Sequence, residues 1–344
     1  MTNKILEKLY SQESLTGKES YDIFSQVITG KLDQSLTTSL LISLKMKGET
    51  PEEIAGAVKA LRENAIKLPN TNLVISDSCG TGGSGKNTIN LSTMVAFVLA
   101  EFGLPIAKHG NRSISSQCGS ADVLESLGVN LNLTPEQASQ CLQQTNYCFL
   151  FAPAYHPGVK HVMPVRNSLK TRTIFNLLGP LINPASPEYQ LMGIYSKDLC
   201  FAAAESLRLS GCKGAMVVNS AGYDEITLHE STHVAELKDN KIIEYQLTHK
   251  DFGLPQSKAE DISGHTPEVN KKILLEVLSG QLDSERNLSI AQTLAANASA
   301  LLKVNNRIND LKDGVLKIME LIESGQCIKK VEEVVKISNR LAGN

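Results

Sequence analysis

Apolar residues recur at helical spacing through the first 70 positions, then give way to short apolar runs that end in polar, glycine-rich turns. Leu40, Leu41 and Leu44 fall on one helical face, and Gly48 offers a stop. Thr50-Pro51-Glu52-Glu53 restarts the helix: Thr50 caps, Pro51 fits the first turn, and Glu53 reaches back to close a capping box. Ile54, Val58 and Leu61 supply the stripe that this helix buries. The same start signal recurs at Thr134-Pro135-Glu136-Gln137 and at Thr266-Pro267-Glu268.

From Leu73 the period changes. Leu73-Val74-Ile75-Ser76 reads as a strand running into a glycine turn, followed by an apolar helix over 93–102. Leu104-Pro105-Ile106-Ala107 reads as the next strand, and Tyr147-Cys148-Phe149-Leu150-Phe151 and Ala215-Met216-Val217-Val218 as further buried ones. Residues 226–247 alternate like an antiparallel ribbon, and the tail from Thr266 is helical again. Strand, turn and helix in alternation predict an α/β fold: a mostly parallel central sheet with helices on both faces, preceded by a small helical domain. The expected division is 1–70 for the helical domain, joined by part of 166–185, and 71–344 for the α/β domain. Ligands of such sheets bind beyond the carboxyl ends of the strands, where these polar turns lie.

Composition narrows the choice of partner. With a formal net charge of −2 and a pI near 6.4, the chain has no global basic field for nucleic acid, so a phosphate ligand would need a local site. The seven cysteines (Cys79, Cys118, Cys141, Cys148, Cys200, Cys212 and Cys327) are scattered, odd in number and free of any C-x-x-C pair. That predicts free thiols in a reducing compartment. The amino terminus is charged and amphipathic, and no stretch approaches the roughly 18 apolar residues of a membrane span. The expectation is a cytoplasmic protein that binds neither membrane nor nucleic acid.

The densest local signal is Asp77-Ser78-Cys79-Gly80-Thr81-Gly82-Gly83-Ser84-Gly85-Lys86-Asn87-Thr88. Glycines and hydroxyls between a strand and a helix make a cradle of backbone N–H groups for an anion. Gly80 to Asn87 nearly matches G-x-x-x-x-G-K-[ST], but Asn87 replaces the hydroxyl that would ligate magnesium in a P-loop, so that reading fails. The next turn, Lys108-His109-Gly110-Asn111-Arg112-Ser113-Ile114-Ser115-Ser116, joins two cations to an amide and three hydroxyls. Lys108 and Arg112 suit phosphate oxygens. His229-Glu230-Ser231-Thr232-His233 matches H-E-x-x-H, yet its neighbours alternate like strands. Residues four apart in an extended chain lie roughly 13 Å from each other, too far to share a zinc.

Taken in order, these segments resemble anthranilate phosphoribosyltransferases. The resemblance is carried by Cys79-Gly80-Thr81-Gly82-Gly83, Asn90-Leu91-Ser92-Thr93, Lys108-His109-Gly110-Asn111-Arg112-Ser113, Gly119-Ser120-Ala121-Asp122-Val123-Leu124-Glu125, Phe175-Asn176-Leu177-Leu178-Gly179-Pro180-Leu181 and Tyr223-Asp224-Glu225-Ile226. It implies an architecture like that of nucleoside phosphorylases and phosphoribosyltransferases. It also implies transfer of phosphoribose from phosphoribosyl pyrophosphate to anthranilate in tryptophan biosynthesis. The donor would be held by Gly80, Gly83, Ser84, Thr88, Asn90, Leu91, Ser92, Thr93, Lys108, His109, Gly110, Asn111, Arg112, Ser113, Ser115, Ser116 and Ser120. Anthranilate would meet Gly80, Asn111, His156, Arg166 and Gly179. Ser92, Asp224 and Glu225 would hold Mg2+, two ions per active site, and the family pattern implies a homodimer through the helical domain.

Two departures from the family pattern stand out. Ser84 occupies the place of a usual aspartate, and Gln117-Cys118 that of a basic residue and serine. Both alter charge near the diphosphate without removing the backbone cradle. Two alternatives share the architecture. A pyrimidine-nucleoside phosphorylase would carry a Lys-His-Ser-Thr-Gly-Gly loop, which is missing from the sequence. A non-catalytic nucleic-acid-binding paralogue would show a basic surface and lack Asp224 and Glu225.

Overall fold

The computed structural model describes residues 2–113 and 117–343. Four helices form the amino-terminal bundle: α1 (Thr2–Tyr10), α2 (Gly17–Ile28), α3 (Gln34–Lys47) and α4 (Pro51–Glu63). The capping box read from the sequence closes at Thr50 and Glu53, and a second closes at Thr16 and Glu19 ahead of α2. Glu53 does more than cap. Its carboxylate is fully buried and accepts from the Leu15 and Thr50 N–H groups, each at 2.8 Å, and from Lys47 Nζ at 2.9 Å. Both oxygens of a buried charge are thereby matched, which is what its burial requires.

The remaining elements are β1 (Ser76–Gly80), α5 (Leu91–Glu101), β2 (Ile106–Gly110), α6 (Ser120–Leu127), α7 (Pro135–Thr145), β3 (Tyr147–Phe151), α8 (Ala152–Tyr155), α9 (Met163–Leu169) and α10 (Phe175–Leu181). After them come β4 (Tyr189–Gly193), α11 (Cys200–Leu209), β5 (Gly214–Ser220), β6 (Thr232–Lys238), β7 (Lys241–Leu247), α12 (Pro267–Leu278), α13 (Glu285–Val304), α14 (Leu311–Glu323) and α15 (Cys327–Ala342). The sheet order is β3-β2-β1-β4-β5-β6-β7. Its first five strands are parallel, and β6 and β7 are antiparallel. The strand order reverses between β1 and β4, so a crevice opens at their carboxyl ends.

Alternate side chains send the two sheet faces to different cores. Leu191, Met216, Val218 and Val234 pack with α5, α12, α13 and α14. Met192, Ala215, Val217, Ala235 and Leu237 pack with α10 and α11, and that cluster continues without a break into the bundle. Arg62 reinforces the junction from α4, donating to the Leu181 carbonyl at 2.8 Å and the Ser210 carbonyl at 3.4 Å.

Three sequence readings need correction. The strands expected at 73–76 and 104–107 begin two or three residues later and run into the polar motifs, so that Asp77 and Lys108 lie inside the sheet. Mutual compensation of these two buried charges lets the strands continue where polarity suggested a turn. Strand β4 escapes the pattern because its interior holds Gln190, whose amide donates to the Pro180 carbonyl at 2.8 Å and to Cys79 Sγ at 3.0 Å. The ribbon starts at Thr232 and not at Ile226, since 224–231 is an irregular segment laid against α13.

Candidate active site

The glycine segment leaves β1 at Gly80 and projects over the crevice. Gly82, Gly83 and Gly85 have φ of 64°, 66° and 74°, a region that L side chains rarely adopt, and the space beside each is open. Its entrance is pinned to β4: Thr81 N–H donates to the Gly193 carbonyl at 3.0 Å, and Tyr195 N–H donates to Thr81 Oγ1 at 3.2 Å. Its exit is pinned by Asn87, the residue that breaks the P-loop pattern. Asn87 Nδ2 donates to the Gly264 carbonyl at 3.0 Å, and Gly264 N–H returns a bond to the Asn87 carbonyl at 2.6 Å. Between these anchors, Arg172 donates to the Gly83 carbonyl while its guanidinium lies 4.5 Å over the Tyr195 ring. Lys86 Nζ sits 5.0 Å over the ring of Tyr223.

Below the loop, Lys108 is 1% exposed and donates to the Ser78 carbonyl at 2.7 Å and to Ser92 Oγ at 3.0 Å. Burial pulls its ammonium below the usual range, and Asp77 beside it works the other way. Asp77 is pushed up to about 6 by its own burial, against the pull of Lys108 and of Asn183, which donates to its Oδ2 at 2.8 Å. Ser92 and Thr93 begin α5 behind Asn90 and the buried Leu91. Asn90 is fixed on both sides of its amide. Nδ2 donates to the Cys118 carbonyl at 3.2 Å, while Oδ1 accepts from Cys118 Sγ at 3.2 Å and from Asn270 Nδ2 at 3.0 Å. Thr88 forms a bridge with Ser263.

The second loop folds over the start of α6. Asn111 accepts through its carbonyl from Ala121 N–H at 3.2 Å and from Ser120 Oγ at 3.4 Å, and Ser120 in turn lies against Gly110. Asp122 Oδ2 accepts from Ser113 N–H at 3.0 Å and Gly119 N–H at 2.8 Å. Arg112, read from the sequence as a phosphate cation, is instead held by carboxylates: Glu125 takes it in a fork at 2.7 and 2.8 Å, and Asp122 at 3.2 Å. Ser115 and Ser116 lie outside the described residues.

Three residues from distant parts of the chain meet at the end of β2. His109 Nδ1 is 3.1 Å from the Gly179 carbonyl, and its ring meets the edge of His156 with centroids 5.1 Å apart. Burial drives both imidazoles down, His109 to about 3 and His156 to about 4, so both are neutral near pH 7. Each has an Nε2 sealed from solvent without a protein partner. Gly179 faces open space. Arg166, one helix away, stacks 5.6 Å over Phe175 and pairs with no carboxylate among the described residues. His109, grouped with the donor loop in the sequence, thus sits with the residues expected on the acceptor side.

The acidic turn closes the crevice. Gly80 and Gly193 are register partners on β1 and β4, and Asp224 occupies the space where their side chains would be. Asp224 Oδ2 accepts from Gly82 N–H at 2.8 Å. Glu225 has one carboxylate oxygen sealed and unpartnered, and burial together with neighbouring Asp224 pushes it up to about 8. The H-E-x-x-H segment is not helical. His229 stands in a turn against Tyr223, with ring centroids 4.9 Å apart, and His233 lies on β6 beside Glu244 at 3.0 Å. Gly193, Arg172, Asn270 and Asn297 went unread in the sequence; each acts through a contact more than 70 residues away, or in the case of Gly193 through one that shape alone reveals.

A helical bundle beside a mostly parallel sheet, with a glycine cradle at the point where strand order reverses, defines a class of glycosyl transferases. Residues 3–65 match the helical bundle domain of that family and residues 72–328 its α/β domain. The chain is 46% identical over 334 residues to an anthranilate phosphoribosyltransferase of Pseudoalteromonas translucida, covering 97% of this chain and 93% of that one. It is 48% identical to another from Erwinia tasmaniensis, covering 96% and 98%. The crystal structure of the Thermus thermophilus anthranilate phosphoribosyltransferase superposes with a TM-score of 0.91 at 36% identity, over 97% of this chain and 99% of that one. The Saccharomyces cerevisiae enzyme in complex with PRPP and Mg superposes at 0.88 and 28% identity, over 98% of each. The chain belongs to the anthranilate phosphoribosyltransferase family. No helix among the described residues is long and apolar enough to cross a membrane.

Proposed function

We propose that the chain transfers phosphoribose from phosphoribosyl pyrophosphate to the amine of anthranilate, releasing pyrophosphate, as a step of tryptophan biosynthesis. The observation that supports this most is the convergence of the open glycine loop, the Asp224-Glu225 turn and the neutral His109-His156 pair on one crevice. In this reading the N–H groups of 80–85, with Ser84, Thr88, Asn90, Ser92 and Thr93 at the start of α5, bind the diphosphate and ribose phosphate of the donor. Lys108 keeps Ser92 in place and adds positive charge from beneath.

The donor set at the turn fits Mg2+. A sealed Glu225 oxygen without a protein partner, beside a second carboxylate, is a donor pair that suits a hard cation, and magnesium takes few protein oxygens and fills the rest of its shell with water and phosphate. Asp224, Glu225 and Ser92 would hold it, two ions per site, and as a Lewis acid it would supply charge neutralisation on the departing pyrophosphate. The protein's own part is positioning. Arg166, without a carboxylate partner among the described residues and partly desolvated, suits the anthranilate carboxylate, while neutral His109 and His156, with Gly179 and Asn111, place no charge beside the aromatic amine, which is itself uncharged. Holding two reactants at attack distance lowers a barrier by several kcal/mol without covalent catalysis. We also assign a homodimer through the helical bundle, where Tyr10 and Met46 stay exposed, and group α9 and α10 with that bundle.

The test is a fluorescence assay of anthranilate consumption with donor and magnesium, on wild type and on Asp224→Asn with Glu225→Gln. Wild type should turn over, and the double variant should stay folded and lose magnesium-dependent activity. Near-wild-type activity in the double variant would sink the metal assignment.

A further inference from the structure

Helix α13 passes behind the acidic turn, and one of its interior positions is polar. Asn297 is 3% exposed and lies among apolar neighbours such as Leu294, Ala298 and Leu301. An amide in such surroundings is costly unless it is bonded, and alanine or leucine would pack there without that demand. Its bonds converge on one residue. Oδ1 accepts from the Ile226 N–H at 3.1 Å, and Nδ2 donates to the Ile226 carbonyl at 2.8 Å, with a further bond to the Thr293 carbonyl at 2.9 Å. Both backbone groups of Ile226 are therefore held as a neighbouring strand would hold them, by a side chain.

Ile226 follows Glu225 directly. On the upstream side, Ser220 and Tyr223 exchange backbone bonds at 3.1 and 2.8 Å, and Asn219 Oδ1 accepts from Gly222 N–H at 3.2 Å. On the front, Gly80 and Gly193 leave a slot that Asp224 fills. Asn297 supplies the downstream grip, and with it the carboxylates are held between two fixed points.

We infer that Asn297 is a positioning residue for the metal-binding turn: it touches no substrate, and it holds Asp224 and Glu225 in the register that receives the cation. This rests on the reading of those two carboxylates as magnesium ligands. Groups that orient metal ligands from behind commonly change metal affinity by about 10- to 100-fold when removed.

The experiment uses the full chain with phosphoribosyl pyrophosphate and follows Mn2+ binding by electron paramagnetic resonance, alongside the magnesium activation constant. Asn297→Asp keeps the shape and the acceptor but loses the donor; Asn297→Ser is too short for both bonds. Ser299→Ala is the control: it lies on the same helix as Asn297, but its hydroxyl donates to the Leu311 carbonyl at the start of α14, at 2.7 Å and away from the turn. The Asn297 variants should weaken Mn2+ and raise the magnesium constant by about tenfold or more, with little change in the KM for anthranilate. Ser299→Ala should lower the thermal midpoint and leave both constants alone. Asn297 variants that shift the metal constants no more than Ser299→Ala does, or that both fail to fold, would overturn the inference. The Asp224→Asn, Glu225→Gln protein separates the two claims. If it binds Mn2+ like wild type, the metal reading falls and the inference with it; if it loses Mn2+ while the Asn297 variants keep it, the inference alone falls.

Discussion

Gly193 leaves no room for a side chain, because the Asp224 carbonyl group stands where its Cβ would be. The last residue of β4 thereby decides where the acidic turn can lie. Gly193→Ala must displace backbone, which cannot rotate out of the way, and is expected to destabilise the protein by about 3 kcal/mol, the upper part of the range for overpacking. It should also abolish magnesium-dependent turnover. At Gly80 the nearest neighbour is the Asp224 carboxylate, a side chain that can swing, and the Asp224 carbonyl stands farther off at 3.0 Å, so Gly80→Ala should cost less stability while breaking the Gly82 contact. Urea denaturation and the anthranilate assay check both, and a native-like Gly193→Ala protein would refute the steric account.

His156 gives a pH test with a defined sign. Burial holds its imidazole at about 4 in the folded protein, against 6.5 for a free side chain. The unfolded chain therefore takes up a proton as pH falls through 6.5, the folded one only near 4, and acidification across that window favours unfolding. Asp77 and Glu225, both shifted upward, act in the opposite sense and mask the slope in wild type. They are common to wild type and His156→Asn, so the difference between the two proteins reports the histidine together with its effect on His109, which burial and His156 hold down to about 3 and which acts in the same sense. The stability of wild type relative to the variant should fall by about 1.4 kcal/mol per pH unit between those limits. A pH-independent difference in urea midpoints would show that His156 is not neutral and buried.

Arg172 spans from the segment ahead of α10 to the glycine loop. It donates to the Gly83 carbonyl and rests on Tyr195, whose own N–H holds Thr81, while Lys45 of α3 donates to the neighbouring Thr171 hydroxyl. Arg172→Ala should raise the KM for the donor by about tenfold, the effect of a charge-assisted bond, and leave the KM for anthranilate within error. Arg172→Lys should recover little, because an ammonium cannot both stack and donate in one plane. Steady-state titration of each substrate separates these outcomes, and an effect confined to anthranilate would place Arg172 on the acceptor instead.

Ser84 and Gln117 are where this chain departs from the charge pattern of its family. Ser84 lies in the exposed part of the loop, accepting from Lys86 N–H at 3.4 Å. Ser84→Asp adds a carboxylate for the magnesium-bound diphosphate, and Gln117→Lys adds a cation. Each should lower the donor KM by roughly fivefold at most, the scale of an exposed ion pair. Unchanged donor binding in both would mean that neither site faces the diphosphate.

Local signals in the sequence yielded the helix starts at Thr50 and Thr134, the strand at 147–151 and the two loops of the crevice, because caps, periodicity and glycine runs are local. The strand limits at Ser76 and Ile106 were not legible. Asp77 and Lys108 look like turn residues singly, and only their proximity in space makes them strand residues. Arg112 shows the converse. Its charge was plain, but its partner Glu125 lies 13 residues on, and a cation already neutralised reads like a free one in sequence. Asn297 and Gly193 gave no signal, since a lone Asn in a helix or Gly at a strand end has many explanations until the opposing atoms are seen.

The apolar cluster that unites Leu40, Leu44 and Ile54 with Ala203 and Leu207 of α11 and with Ala235 and Leu237 of the sheet has a bearing on chimeras. Exchanging the first 65 residues for those of a relative would transplant half of a jigsaw, because each side of that seam is shaped by the other. A hybrid should fold only if the facing positions of α10, α11 and the sheet underside travel with the graft. The isolated bundle, severed from them, would present a sticky flank and precipitate.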